Sequence, residues 1–143
     1  MDIRPFDDAD EPAVLALWRA CGLLRPWNDP ARDIARKRAV QREWFLVGTQ
    51  DGRVVASAMA GYDGHRGTLW YVAVAPEARG RGFGRQLVHE VERRLLAAGC
   101  PKLNLNVRTG NEPALAFWRA MGYAQDDVIA LGRRLVEDAP PAA

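Results

Sequence analysis

Cysteine, histidine and lysine are all scarce in this 143-residue chain, with two of each. Cys21 and Cys100 lack the neighbouring ligands of a metal site, and two thiols are too few for a disulfide scaffold. They read as reduced cysteines, the state expected of a cytoplasmic protein. Long apolar runs are missing as well: none approaches the about 18 residues that cross a bilayer, so no membrane partner is expected. The opening "MDIRPFDDAD" is acidic and has no apolar core of a signal peptide. An excess of one charge is also absent. Twenty basic residues face 18 acidic ones, for a net charge of +2, and the two signs are interspersed, which argues against a nucleic-acid partner. No G-K-[ST] occurs, which excludes a P-loop.

What remains is an ordinary globular composition, 48% hydrophobic and 27% charged, with enough residues for one domain over 1–143. "DIRPF" reads as a short strand. Asp10 is positioned to cap a first helix with Pro12 in its first turn, and Val14, Leu15, Leu17 and Trp18 form its apolar face. Asp29-Pro30 begins a second helix, expected to run to about Gln41. Its exposed side would carry Arg32, Arg36, Lys37, Arg38 and Arg42, read as a solvated face. "EWFLVGTQ" and "RVVASAMAGY" flank Asp51-Gly52, a favoured hairpin turn. After "DGHRG" comes "TLWYVAVA", apolar throughout like a strand covered on both faces. Leu87, Val91 and Leu95 recur on one helical face, and Gly99 closes that helix. "KLNLNV" alternates as a strand. Asn111 and Pro113 start a last helix, "DVIALGRRL" reads as a final strand, and 136–143 as a frayed tail.

Between the apolar strand and the helix lies "ARGRGFGRQL". Three alternate glycines, Gly80, Gly82 and Gly84, precede a helix, although glycine weakens regular structure by about 0.5–1 kcal/mol relative to alanine. Bare backbone at a helix N-terminus suits a phosphate, because free N–H groups converge there and the helix dipole favours an anion. The spacing is not the G-x-G-x-x-G of a dinucleotide fold, and the next strand ends on Arg108 instead of an acid. A plain tight turn is the competing reading.

"VAVAPEARGRGFGRQLV" resembles the acetyl-CoA-binding segment of the GNAT superfamily of N-acetyltransferases, whose [RQ]-x-x-G-x-[GA] pattern is met by Arg79, Gly82 and Gly84. "NEPALAFWRAMGY" resembles the family's second motif, and the order of elements agrees along nearly the whole chain. "LLRPWNDP", "GYDGHRG" and "LGRRLVED" are similar to the branch of small bacterial acetyltransferases named after YpeA. The resemblance implies an α/β (α+β) domain with a mixed, mostly antiparallel sheet of six to seven strands and about four helices. It implies acetyl-CoA as cosubstrate and an amine acceptor: a small molecule, a peptide N-terminus or a lysine. It leaves room for a homodimer.

By position, Val72, Ala73 and Val74 would meet the pantetheine arm. The N–H groups from Arg79 through Gly80, Arg81, Gly82, Phe83 and Gly84 to Arg85 would hold the diphosphate. Asn111, Phe117 and Trp118 would flank the arm and thioester, and a backbone N–H near Val74 would stabilise the oxyanion. Two departures stand out. Trp118 replaces a tyrosine that many members use to protonate the thiolate, and Asn106 replaces a glutamate base. Substitutes are sought in Tyr71, whose plainer reading is a core aromatic, and His65, whose plainer reading is surface. Trp27, Asn28 and Asp63 are candidates to read the acceptor, and Trp70 is open between core and cleft. Loss of both proton-transfer residues also leaves a second reading, an acyl-CoA-binding regulator with little catalysis.

Overall fold

The computed structural model describes residues 1–138. In chain order the elements are β1 (Asp2–Pro5), α1 (Glu11–Ala20), α2 (Pro30–Arg38), β2 (Phe45–Gln50), β3 (Arg53–Tyr62), β4 (Gly67–Val74), α3 (Phe83–Ala97), β5 (Leu103–Asn104) and α4 (Glu112–Ala120). The sheet order is β1-β2-β3-β4-β5. The first three pairings are antiparallel, and β5 joins β4 in parallel. Asp51 and Gly52 both have positive φ, 52° and 75°, as the hairpin turn read from the sequence requires.

Strand alternation distributes the core to both faces of the sheet. Phe45 and Val47 of β2 pack with Val14, Leu17 and Trp18 of α1 and Ile34 of α2. Leu46, between them, packs with Leu87, Val88, Val91 and Leu95 of α3 and Trp118 of α4. Full burial of each such large side chain contributes about 1.5–3 kcal/mol.

The structure corrects several sequence expectations. The sheet has five strands among the described residues, not six or seven. Residues 126–138 form no strand, and Val128, Ile129 and Leu131 are exposed: a strand pattern without a strand partner gains nothing from its apolar side chains. "KLNLNV" pairs at only two positions, Gly67 with Leu103 and Thr68 with Asn104. α2 stops at Arg38, before Gln41 takes a left-handed φ of 51°. Lys37 is buried, not on a solvated face, and donates to the Ala60 carbonyl at 2.5 Å. Asp10 makes no side-chain cap for α1; its carboxylate is held by Arg4 at 2.7 and 2.9 Å, while Asp7 caps the preceding 3-10 turn. At the expected frayed end, Asp138 is buried against Arg36, and residues 139–143 lie outside the described region.

Candidate functional site

β4 holds the distortion that opens the site. Ser57 pairs with Ala73 and Met59 with Trp70, so two residues, Tyr71 and Val72, stand opposite Ala58 alone. Such a bulge bends its strand. Tyr71 takes a φ of 53°, rare for an aromatic residue outside strained sites. Three contacts fix it there. The Tyr71 ring stacks on Trp18 at 3.8 Å between centroids. The Trp18 indole donates to the Ser57 hydroxyl at 2.9 Å, and Ser57 in turn donates to the Tyr71 carbonyl at 2.8 Å. Ser57 is wholly buried, so this relay satisfies groups that would otherwise cost folding energy.

Beyond the two β4–β5 pairs the sheet splits. A cleft of about 890 Å³ lies there, with Leu69 to Val72 on one wall and Leu105 to Arg108 on the other. Ala75 N–H bonds Val55 at 2.8 Å, so by strand alternation the Val74 peptide groups face away from β3. The Val74 carbonyl accepts from the Cys21 thiol at 3.3 Å and the Arg79 guanidinium at 3.1 Å.

At the end of β4 a 3-10 turn, Pro76–Ala78, leads into the glycine run. Gly80 and Gly82 have φ of 80° and 79°, a conformation cheap only for glycine. Gly82 is the N-cap residue of α3, and no side chain caps the helix. The first N–H groups of a helix have no intrahelical partner, so uncapped donors gather at this point. Gly84 has a different reason for being glycine: a Cβ there would sit 3.3 Å from the Phe117 ring and 3.6 Å from Val74. The segment from Arg79 to Arg85 therefore offers bare backbone in one place and close packing in another.

The cleft floor carries the polar chemistry. The Tyr71 hydroxyl donates to Asp33 at 2.6 Å. Burial, then the Asp33 carboxylate, push the Tyr71 phenol well above the ordinary tyrosine range. Asp33 also lies 3.4 Å from Arg36, which binds Asp138 through both nitrogens at 2.6 and 2.8 Å. Asn28, Asn106, Arg108, Asn111 and Trp118 also line the cleft.

Of the residues proposed from sequence, Tyr71, Val72, Asn28, Asn111 and Trp118 come together around the cleft. Trp70 lines it too and is half exposed. Asn111 caps α4 through Ala114 N–H. Trp118 is buried, edge-on to both Phe117 and Tyr123. Trp27 is partly exposed under the Arg108 guanidinium, 5.2 Å above its ring. Asp63 and His65 are not brought to the cleft. They form the β3–β4 turn, where the Asp63 carboxylate accepts from the His65 and Arg66 N–H groups at 2.8 Å. The turn is placed by the hairpin, whose Tyr62 hydroxyl reaches Gly99 at the far end of α3. The sequence reading missed Asp33, Lys37 and Arg36 as cleft residues. A helix of period 3.6 brings positions 33, 36 and 37 to one side, but Arg36 and Lys37 looked like solvated surface and Asp33 was not singled out.

A family model described as "Acetyltransferase (GNAT) family" matches residues 12–123. A protein named acetyltransferase from Yersinia enterocolitica is 47% identical over 138 residues, covering 96% of this chain and 98% of its own. Among solved structures, the ribosomal-protein-alanine N-acetyltransferase of Brucella melitensis is 30% identical with a TM-score of 0.69, over 85% of this chain and 83% of its own. An aminoglycoside antibiotic 6'-N-acetyltransferase of Acinetobacter haemolyticus shares the fold at a TM-score of 0.73 and 19% identity, over 95% of this chain and 100% of its own.

Proposed function

The chain belongs to the GNAT family of acetyltransferases, and from that premise we propose that it transfers an acetyl group from acetyl-CoA directly to a primary amine held in the β4–β5 cleft. The relatives named above include enzymes of an antibiotic and of a protein, so the family leaves the acceptor open between small molecules, peptide N-termini and lysines. The single observation that carries the reading is the split sheet. It gives a strand edge on the cleft, and the same strand leads on through the Pro76–Ala78 turn to an uncapped helix N-terminus.

Those features fit the cosubstrate's parts. The N–H groups from Gly80 to Arg85 would hold the diphosphate, as the helix dipole favours; that of Arg79, also expected there, is bonded to the Pro76 carbonyl. The free edge at Val72, Ala73 and Val74 would take the pantetheine arm, with Asn111, Phe117 and Trp118 on the opposite side. Acetyl-CoA would supply a thioester carbonyl to a neutral amine: the C–N bond forms, the C–S bond breaks, and CoA leaves as a thiolate, which a thiol pKa near 8.5 allows without a strong acid. The Val74 N–H, turned away from β3, is the proposed donor to the oxygen on which charge develops.

An alkyl amine has a pKa near 10.4 and must lose a proton to react. Tyr71 is proposed to pass that proton on. Its phenol is held protonated, so it is not itself the base. Its oxygen accepts the amine proton as its own proton moves to Asp33 across the 2.6 Å hydrogen bond. A positioned relay of this kind is worth about 10²–10⁴ in rate. Asp63 and His65 take no part.

Release of the CoA thiol from acetyl-CoA over a panel of amines and peptides tests the reading. Amine-dependent release is expected. Tight acetyl-CoA binding with no amine-stimulated release from any member would overturn catalysis in favour of an acyl-CoA-binding regulator. A homodimer is the proposed assembly, through the exposed Val128, Ile129, Leu131 and Leu135 of the C-terminal segment. A monomer mass in light scattering would contradict it.

A further inference from the structure

The cleft has an uneven charge. Arg25, Lys37 and Arg108 line it, and among the described residues no carboxylate lies within ion-pair distance of any of the three. Arg25 donates to the Gly22 and Leu24 carbonyls at 2.7 and 2.9 Å. Lys37 donates to the Ala60 carbonyl; burial lowers its pKa from the ordinary lysine value, and Glu43 opposes that only at longer range. Arg108 rests on the Trp27 ring. Carbonyls and a ring face orient these cations without cancelling their charge.

The neighbouring acids are already engaged. Asp138 is clamped by Arg36 and lies 3.6 Å from Arg32. Asp29 caps α2 and lies 3.5 Å from Arg32. Asp33 alone lines the cleft, between Tyr71 and Arg36. The cleft therefore offers one carboxylate beside the proposed proton relay and three uncompensated cations around it. A polyamine would meet net repulsion. An amine with a negative group at its other end would match both halves.

We infer that the acceptor is an amine carrying an anionic group, a carboxylate or a phosphate, which Arg25, Lys37 and Arg108 receive while the amine faces Tyr71 and Asp33. This rests on the reading of the cleft as the acceptor site of an acetyltransferase. A guanidinium makes paired hydrogen bonds to either kind of anion, so the chemistry is shared between the two sources. Partial burial strengthens the attraction over that in bulk water, and added salt weakens it.

Two matched sets test the inference on the whole protein saturated with CoA, by calorimetric titration. The first is ethanolamine, β-alanine, O-phosphoethanolamine and 1,3-diaminopropane. The second is Ala-Gln-Ala-amide, Ala-Glu-Ala-amide, Ala-phosphoserine-Ala-amide and Ala-Lys-Ala-amide. In at least one set an anionic member is expected to bind tenfold or more tighter than the neutral and cationic members. The better of carboxylate and phosphate identifies the source. Arg108→Gln and Lys37→Met should each reduce the ratio of anionic to neutral affinity several-fold, and together abolish it. Equal binding, tighter binding of the cations, no binding in either set, or a preference that survives both substitutions overturns the inference. Thiol release with the same compounds separates the two claims. An anionic preference in binding without turnover counts against the acetyltransfer reading alone. Turnover that favours the diamine or the lysine peptide counts against this inference alone.

Discussion

The two halves of the proposed site, the cleft and the glycine run beyond it, are built from different materials. The half proposed for acetyl-CoA is mostly backbone: left-handed glycines, an uncapped helix N-terminus and the unpaired edge of β4, with Asn111, Phe117 and Trp118 opposite. The acceptor half is side chains, brought by α1–α2, α2, β4 and the segment after β5. Backbone donors exist in any sequence that lets the chain take the required path, so this half depends on a few glycines. The acceptor half depends on particular groups, each replaceable singly, and this is where one fold can serve many amines.

Breaking the side-chain half should give the larger effect. Tyr71→Phe keeps the ring on Trp18 and removes the hydroxyl that donates to Asp33. With Tyr71 as the relay, kcat falls by about 10²–10⁴ while acetyl-CoA affinity, measured by calorimetry, stays the same. A fall of less than threefold removes Tyr71 from the mechanism.

Breaking the backbone half should show the converse. Gly82→Val forces a β-branched residue to a φ of 79°, a conformation that costs an L-residue about 1–2 kcal/mol. The KM for acetyl-CoA is expected to rise about tenfold, with a smaller change in the KM for the amine. An unchanged KM for acetyl-CoA would show that the glycine run serves as a turn only.

The same contrast explains what the sequence disclosed. The glycine run, the Asp51-Gly52 turn and the helix caps Asp29 and Asn111 are local signals, and each was legible because neighbouring residues determine it. The five-stranded order was less so. "DVIALGRRL" has strand-like composition, but a strand forms only where a partner edge is available, and composition does not show one. Lys37 looked like an exposed helix charge and Asp33 was not singled out, because their roles depend on Ala60 and Tyr71, more than 20 residues away in sequence. Asp63 and His65 were drawn toward the cleft by resemblance, while the tight β3–β4 turn keeps them elsewhere.

A third test lies between the halves. Ser57→Ala removes the hydroxyl that joins the Trp18 indole to the Tyr71 carbonyl. It leaves a buried donor unsatisfied, at a cost of about 1–3 kcal/mol, so the melting temperature should drop by several degrees. Because the relay fixes the bulge, kcat is expected to fall more than the acetyl-CoA affinity. Loss of stability with kcat and both KM values unchanged would make Ser57 a core residue and nothing more.

The smallest effect concerns how the acceptor half is tied down. Asp138 is 3% exposed, and its hydrogen bonds to Arg36 hold its carboxyl down to about 2. An unfolded aspartate titrates near 3.9. The native pKa is the lower one, so the ion pair adds stability that is fully present above about pH 4 and is lost as pH falls toward 2. Asp138→Asn cannot titrate and should remove that share of the pH dependence. Denaturant unfolding at pH 7, 4 and 2.5 reads it: the wild-type advantage over Asp138→Asn narrows with falling pH. The same variant releases Arg36 from its clamp beside Asp33. A wild-type advantage that is flat over this window would mean that the C-terminal segment rests on the acceptor half without holding it.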